Sequence, residues 1–228
     1  MRIRRLAIPL MSLLFVGCAS LSGTPLATPK TAALKASQAQ SLYPLTKGLQ
    51  WRYSSVSRSG DGPDRPGHDQ IIKVTASEHV QGQVRAVVIR KFGDRELPPT
   101  LAVADGRAVT LSRLNSPEDG SISVLVFPLE PQNSWPGRSW AHAQETISVV
   151  GTESITVPAG TYTATRLQHR IAYATGKSDY LHYWYAPGVG MVKAIEGLTI
   201  DLGSGPVLQQ VTAELLQFDH GEVSASPD

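Results

Sequence analysis

Residue types that catalyse reactions occur in this chain, but not in the arrangements that common reactions need. The Gly-x-Ser-x-Gly turn of many hydrolases is absent. No two histidines stand four residues apart, and no acid accompanies a pair of histidines at the spacing of a zinc site. The six histidines are His68, His79, His142, His169, His182 and His220. The spacing predicts no catalytic residue, no metal site and no cofactor.

One histidine lies within an aromatic run, residues 180–185, which reads Tyr-Leu-His-Tyr-Trp-Tyr. Side chains on a strand alternate between faces, so His182 and Trp184 share one face. If His169 lies on the adjacent strand, a cluster of His169, His182 and Asp179 is one hypothesis for a site. Cross-strand packing of aromatic rings is the interpretation we favour.

The tyrosines of the same run offer a second kind of site, because aromatic faces pack against sugar rings and lipid chains. The four aromatic residues are Tyr180, Tyr183, Trp184 and Tyr185. Packing in the core or at a barrel rim is the favoured interpretation for them. The acids Glu145, Glu153, Glu196 and Asp201 are interpreted as solvated charges at strand edges.

The single cysteine has a more specific setting. Arg2, Arg4 and Arg5 precede an apolar run of 11 residues at 6–16, which is too short to span a membrane and is typical of a signal peptide. Phe15-Val16-Gly17-Cys18 then resembles the bacterial lipobox, with Phe where Leu is usual. We therefore predict lipidation of Cys18 by a diacylglyceryl group, with a further acyl chain such as palmitate on its amine.

Two or three acyl chains would hold the mature protein on a membrane, since each buried methylene contributes about 0.8 kcal/mol. Removing Arg2, Arg4 and Arg5 with the signal peptide takes the formal charge from +2 to −1. This balance argues against a nucleic-acid partner. Ala19 after the cysteine favours the periplasmic face of the outer membrane if the organism has two membranes.

The chain divides into four predicted parts. Residues 1–17 are the signal peptide, and 18–42 are the lipidated cysteine with a flexible tether, which has no acidic residue. Residues 43–218 are the folded domain, and 219–228 a disordered tail.

Short apolar or alternating runs separated by Gly, Pro, Asp and Asn predict strands throughout the domain. Leu49, Trp51 and Tyr53 alternate with polar residues, and Asp105-Gly106 is suited to a type I′ hairpin turn. The run 122–127 is apolar on both faces, as in a central strand. The segment Val207–Phe218 fits a strand or a helix, and we favour a strand. We predict an all-β fold, an antiparallel meander of about eleven strands that forms a curled half-barrel or a sandwich.

A short pattern occurs twice. Tyr43-Pro44-Leu45 precedes Trp51 as Phe127-Pro128-Leu129 precedes Trp135, 84 residues later. Each copy heads about half of the domain. Two similar halves, each a sheet-forming unit, are one hypothesis; coincidence of two strand entries is the other.

Three stretches resemble a family of uncharacterised bacterial lipoproteins and secreted β proteins, with typical motifs PLxxGxxWxY, VPAGTF and WYAPGVGLVK. Here they read Tyr43–Gly48 with Trp51 and Tyr53, Val157–Tyr162 and Trp184–Lys193. These motifs are structural, so the resemblance implies a β fold and no activity.

The sequence therefore predicts a non-enzymatic, lipid-anchored protein of the cell envelope whose β domain serves in binding or assembly. Its partners would be membrane lipid through Cys18, and an envelope protein or an apolar ligand. The alternatives are a hydrolase of envelope polymers and a half-barrel carrier of lipid or lipoprotein. A hydrolase would need two ionisable side chains converging in a concave site, and a carrier a cavity above about 300 Å3.

Overall fold

The computed structural model describes residues 38–115, 120–201, 203 and 205–220. A short helix at 38–42 precedes fourteen strands. The strands are β1 (Leu49–Ser59), β2 (Arg65–Pro66), β3 (Gln70–Val80), β4 (Gln83–Phe92), β5 (Arg95–Glu96), β6 (Thr100–Ala104), β7 (Ala108–Arg113), β8 (Ile122–Val126), β9 (Ser134–Trp140), β10 (Ala143–Val157), β11 (Gly160–Tyr173), β12 (Ser178–Ala186), β13 (Gly190–Asp201) and β14 (Pro206–His220).

Twelve of these strands form one antiparallel sheet, in the order β8-β7-β6-β4-β3-β1-β14-β13-β12-β11-β10-β9; β2 and β5 pair only at its margins with β1 and β4. The sheet curls so far that its two edge strands, β8 and β9, come together. The all-β half-barrel is thus confirmed. The ambiguous segment Val207–Phe218 is a strand, part of β14.

The sheet order divides into two six-stranded meanders. One runs β1-β3-β4-β6-β7-β8 and the other β9 to β14, and β1 pairs with β14 where they join. The repeated aromatic-Pro-Leu-x5-Trp pattern lies at the start of each, with Trp51 in β1 and Trp135 in β9. This arrangement is what the hypothesis of two similar halves requires of the strand order.

Besides the β1–β14 pairing, a second contact joins the two meanders, a side-chain hydrogen bond between the edge strands β8 and β9. The indole nitrogen of Trp135 donates to the Ser123 carbonyl of β8 at 2.8 Å. We call this contact the seam. The prediction that the apolar run 122–127 is a central strand is wrong, since β8 is an edge strand. It is apolar on both faces because the seam covers it. Leu125 is fully buried there, and its four neighbours in β8 are partly buried.

Several strand boundaries differ from the predicted ones. Gly151 does not separate two strands but sits at a bulge within β10, and Glu196-Gly197 lies inside β13. The hairpin at Asp105-Gly106 is present, but neither loop residue has a positive φ, so the turn is not type I′. Instead the Asp105 carboxylate accepts the amides of Arg107 and Ala108, both at 2.7 Å.

The N-terminal boundary also lies elsewhere than expected. Residues 38–42, assigned to the tether, are helical, and Ala39 and Leu42 are buried against the sheet. The amide of Gly188 donates to the Ser41 carbonyl at 2.8 Å, which ties this segment to the β12–β13 turn. At the other end β14 continues to His220. The predicted signal peptide and Cys18 lie outside the described residues.

Candidate functional site

The curled sheet encloses a cavity of about 730 Å3. Its wall is mainly apolar and aromatic, with residues from strands on both halves of the sheet. A second depression, of about 640 Å3, borders the 38–42 helix; four of its ten lining residues are threonines and none is charged. The larger cavity holds the buried ionisable groups, so it is the candidate site.

One end of the cavity is closed by what we call the floor, residues 43–45 together with Trp51 and Gly190. The Trp51 indole donates to the Val189 carbonyl at 2.6 Å. A side chain on Gly190 would lie 3.3 Å from Pro44, and its φ of +92° also favours glycine, so the floor needs glycine there.

The other end is open and apolar. Phe92, Trp140, Leu198 and Val211 line the cavity and are also exposed, Trp140 by 46%. We call these four residues the mouth. In β13 the cavity wall runs from Gly190 at the floor to Leu198 at the mouth, a length of about 26 Å at about 3.3 Å per residue.

A buried hydrogen-bonded pair interrupts this apolar wall. The Nδ1 atom of His169 in β11 lies 2.7 Å from Oε1 of Glu145 in β10, and the two residues are only 7% and 6% exposed. The other carboxylate oxygen accepts the Arg138 amide at 2.8 Å. Burial alone would raise the pKa of Glu145, but the bonds from His169 and Arg138 outweigh it and lower this pKa below its usual 4.5.

Tyrosine side chains extend this polar patch. The Tyr183 ring packs on His169, with centroids 4.5 Å apart, and its hydroxyl donates to Glu196 at 2.8 Å. Burial, and next the nearby charge of Glu196, raise the pKa of Tyr183 well above its usual value, so the hydroxyl stays protonated at neutral pH. His169 Nε2 is buried and has no hydrogen-bond partner among the described residues.

The structure corrects the predicted histidine cluster. His169 faces the cavity, whereas His182 lies on the opposite face of the sheet with Arg166 and Trp184. Asp179 accepts the backbone and side chain of Thr199, so it links β12 to β13 instead of joining a site. The three residues do not form one site.

The predicted aromatic groove is partly present. Tyr183 and Tyr185 line the cavity, Tyr180 is exposed, and Trp184 lies on the other face. The prediction that Glu145 is a solvated edge charge is wrong. Its partner His169 lies 24 residues away, and only the register of β10 and β11 brings them together. The one signal in the sequence is that Glu145 occupies a position which, by the alternation of its strand, is expected to face inward.

The described residues contain no group of three His, Cys, Asp or Glu side chains that could hold a metal ion. Within the same residues no helix has the length and apolar character to cross a membrane.

Fold and cavity together define a class: single-sheet, barrel-like β proteins with an internal apolar pocket. The chain is similar in fold to a candidate exported protein with YmcC-like fold from Bacteroides fragilis, with a TM-score of 0.52 and 14% identity over 78% of this chain and 98% of that one. A candidate lipoprotein from Parabacteroides distasonis is 17% identical over 78% and 98% of the two chains, with a TM-score of 0.47. The hypothetical lipoprotein YmcC from Escherichia coli is 13% identical over 81% and 92%, with a TM-score of 0.31.

At the level of sequence, residues 145–196 match the DUF3108-like family. The match covers all of β11 and β12 and most of β10 and β13, including two of the three motifs noted above. It also begins at Glu145 and contains His169, Tyr183 and Glu196. No curated protein matches the chain.

Proposed function

We propose that this chain is a lipid-anchored protein of the cell envelope whose β domain binds an apolar ligand inside the barrel and catalyses no reaction. The observation that carries the proposal is the cavity. At about 730 Å3 it lies within the 300–1,000 Å3 range of small-molecule sites and well above the 300 Å3 below which carriage would be untenable.

The mouth supports an apolar ligand in particular. Four large apolar side chains around the opening are partly exposed to water. A cluster of exposed apolar side chains is typical of a binding site. An acyl chain entering there would cover them. Ten buried methylenes contribute about 8 kcal/mol, which is comparable with the 4–15 kcal/mol lost on association, so chain length should govern affinity.

Ligand binding is tested by filling the cavity from its wall. Ala194 lines the cavity, whereas Thr212, near it across the β13–β14 pairing, points to the other face. We expect Ala194→Phe to weaken binding of a fluorescent apolar probe at least tenfold, and Thr212→Phe to leave it unchanged. Equal binding by both variants, each folded by circular dichroism, would refute the proposed site.

The anchor is tested separately. Wild-type cells should incorporate labelled palmitate into the protein, and cells carrying Cys18→Ser should not. Fractionation should then move the variant from the membrane to the aqueous fraction. Equal labelling of the two proteins would remove the anchor from the proposal. Ala19 supports the outer membrane as the location in an organism with two membranes.

The Glu145–His169 pair favours a second candidate, the hydrolase, because a carboxylate that orients a histidine is a common catalytic arrangement. Against it, no hydroxyl of a described residue bonds to His169 Nε2. We expect no hydrolysis of acyl esters or envelope polymers by the wild type. Turnover that disappears in His169→Gln would establish the enzyme instead.

A further inference from the structure

Arg90 places a positive charge within the apolar wall. It lies in β4, and its neighbours in the same cross-strand row are Ile72 in β3 and then Trp51 in β1, both of which line the cavity. Trp51 belongs to the floor. The next inward-facing residue of β4 is Phe92 of the mouth, so Arg90 lies in the cavity wall between a floor residue of its own row and a mouth residue of its own strand.

This charge has no partner within the part of the chain that the structure describes. Arg90 Nε is buried without a hydrogen bond, and its side chain forms no ion pair with a described acid. The two acids of the cavity wall are engaged elsewhere, Glu145 by His169 and Glu196 by Tyr183. Arg90 is half-buried and its Nε is shielded from water, and a shielded charge costs free energy unless it is paired, so this part of the wall is suited to an anion.

Two tyrosines, Tyr53 and Tyr185, line the same cavity as the arginine. Burial raises the pKa of Tyr53 and Tyr185, and the charge of Arg90 acts on both hydroxyls in the opposite direction. Tyr53 donates to the Met191 carbonyl at 2.8 Å, whereas the Tyr185 hydroxyl makes no hydrogen bond to a described residue. It remains a donor available to a ligand oxygen in the cavity.

We infer that Arg90 binds the anionic head group, a carboxylate or a phosphate ester, of an amphipathic ligand whose apolar chain lies in the cavity. The inference rests on the proposed function and specifies its ligand class. An arginine fits either head group, because its planar fork donates two parallel hydrogen bonds to a carboxylate or phosphate.

The test uses the full chain carrying Cys18→Ser, stripped of lipid, and measures displacement of an apolar fluorescent probe. The competitors are palmitic acid, methyl palmitate and hexadecyl phosphate. We expect an anionic ligand to bind at least tenfold more tightly than the ester, since a charge-assisted hydrogen bond contributes more than a neutral one. Preference for the acid assigns a carboxylate, and preference for hexadecyl phosphate assigns a phosphate.

Three variants test whether Arg90 causes the preference for an anionic ligand over the ester. Arg90→Met should abolish it, Arg90→Lys should keep part of it, and Arg85→Met, on the exposed face of the same strand, should leave it intact. A preference that survives Arg90→Met overturns the inference. Should Arg90→Met not fold, the acid-to-ester ratio of the wild type and of Arg90→Lys decides.

The outcomes separate the two proposals. If wild type binds the acid, the phosphate and the ester equally, the apolar site stands and the anionic head group is refuted. If none of the three displaces the probe, the inference fails, and the proposed function fails with it only if the probe also binds Ala194→Phe as tightly as wild type.

Discussion

Gly137 lies against the buried Glu145–His169 pair, and replacing this glycine should break the pair. A Cβ at this position would overlap Oε2 of Glu145 and lie 2.7 Å from its Cγ and Cδ atoms. The carboxylate cannot move aside freely, because it holds bonds to both His169 and the Arg138 amide. Gly137→Ala should therefore displace Glu145 from one or both partners.

The loss of stability can be estimated from the two hydrogen bonds that Glu145 would lose. A hydrogen bond to a charged group contributes about 1.5–3 kcal/mol. Replacing glycine by alanine also restricts the unfolded chain, which adds back about 0.4–1 kcal/mol of stability. We expect a net loss of about 3 kcal/mol in the free energy of unfolding, and a fall in Tm of about 6–12 °C for a domain of this size.

Urea unfolding followed by tryptophan fluorescence measures this change in a double-mutant cycle. In the background of Glu145→Ala the overlapping carboxylate is gone, so Gly137→Ala should be neutral or slightly stabilising. The same cost in both backgrounds would show that the glycine acts through the backbone and would refute the reasoning.

Acid should destabilise the domain, because the pKa values of Glu145 and Asp179 are lowered on folding, against burial, by the bonds that each accepts. Their stabilisation is complete above the unfolded values of 4.5 and 3.8 and is lost as pH falls through the folded ones, so Tm at pH 3 should lie below Tm at pH 7 by calorimetry. A combined Glu145→Gln, Asp179→Asn variant should be less stable at pH 7, and its Tm should change less between pH 7 and pH 3. The same change in Tm as in wild type would contradict the assignment. Trp135→Phe should cost about 1 kcal/mol, through loss of the bond to Ser123. Hydrogen exchange should then accelerate at the seam in β8 and β9 and not in β13, and uniform acceleration would argue against a local seam.

Much of the fold could be predicted from local sequence. Alternation at Leu49, Trp51 and Tyr53 identified the buried face of β1, and turn residues marked most strand ends. These signals are local, since a strand records its own inward face every second residue. The number of strands was less accurate, because Gly151 and Gly197 are turn formers by type yet lie inside continuous strands. Whether a glycine ends a strand depends on the partner strand, which the local sequence does not contain.

The sequence by itself determined the β class, the repeated Pro-Leu-Trp pattern at the head of each meander, and the signal and cysteine that predict an anchor. These depend on residue type and short spacing alone. Only the tertiary structure decided that β8 and β9 meet, that the barrel encloses a cavity, and that Glu145 faces His169 while Arg90 faces neither acid. Those facts depend on register and curvature summed over twelve strands, and a shift of one residue in any ladder would turn the same side chains outward.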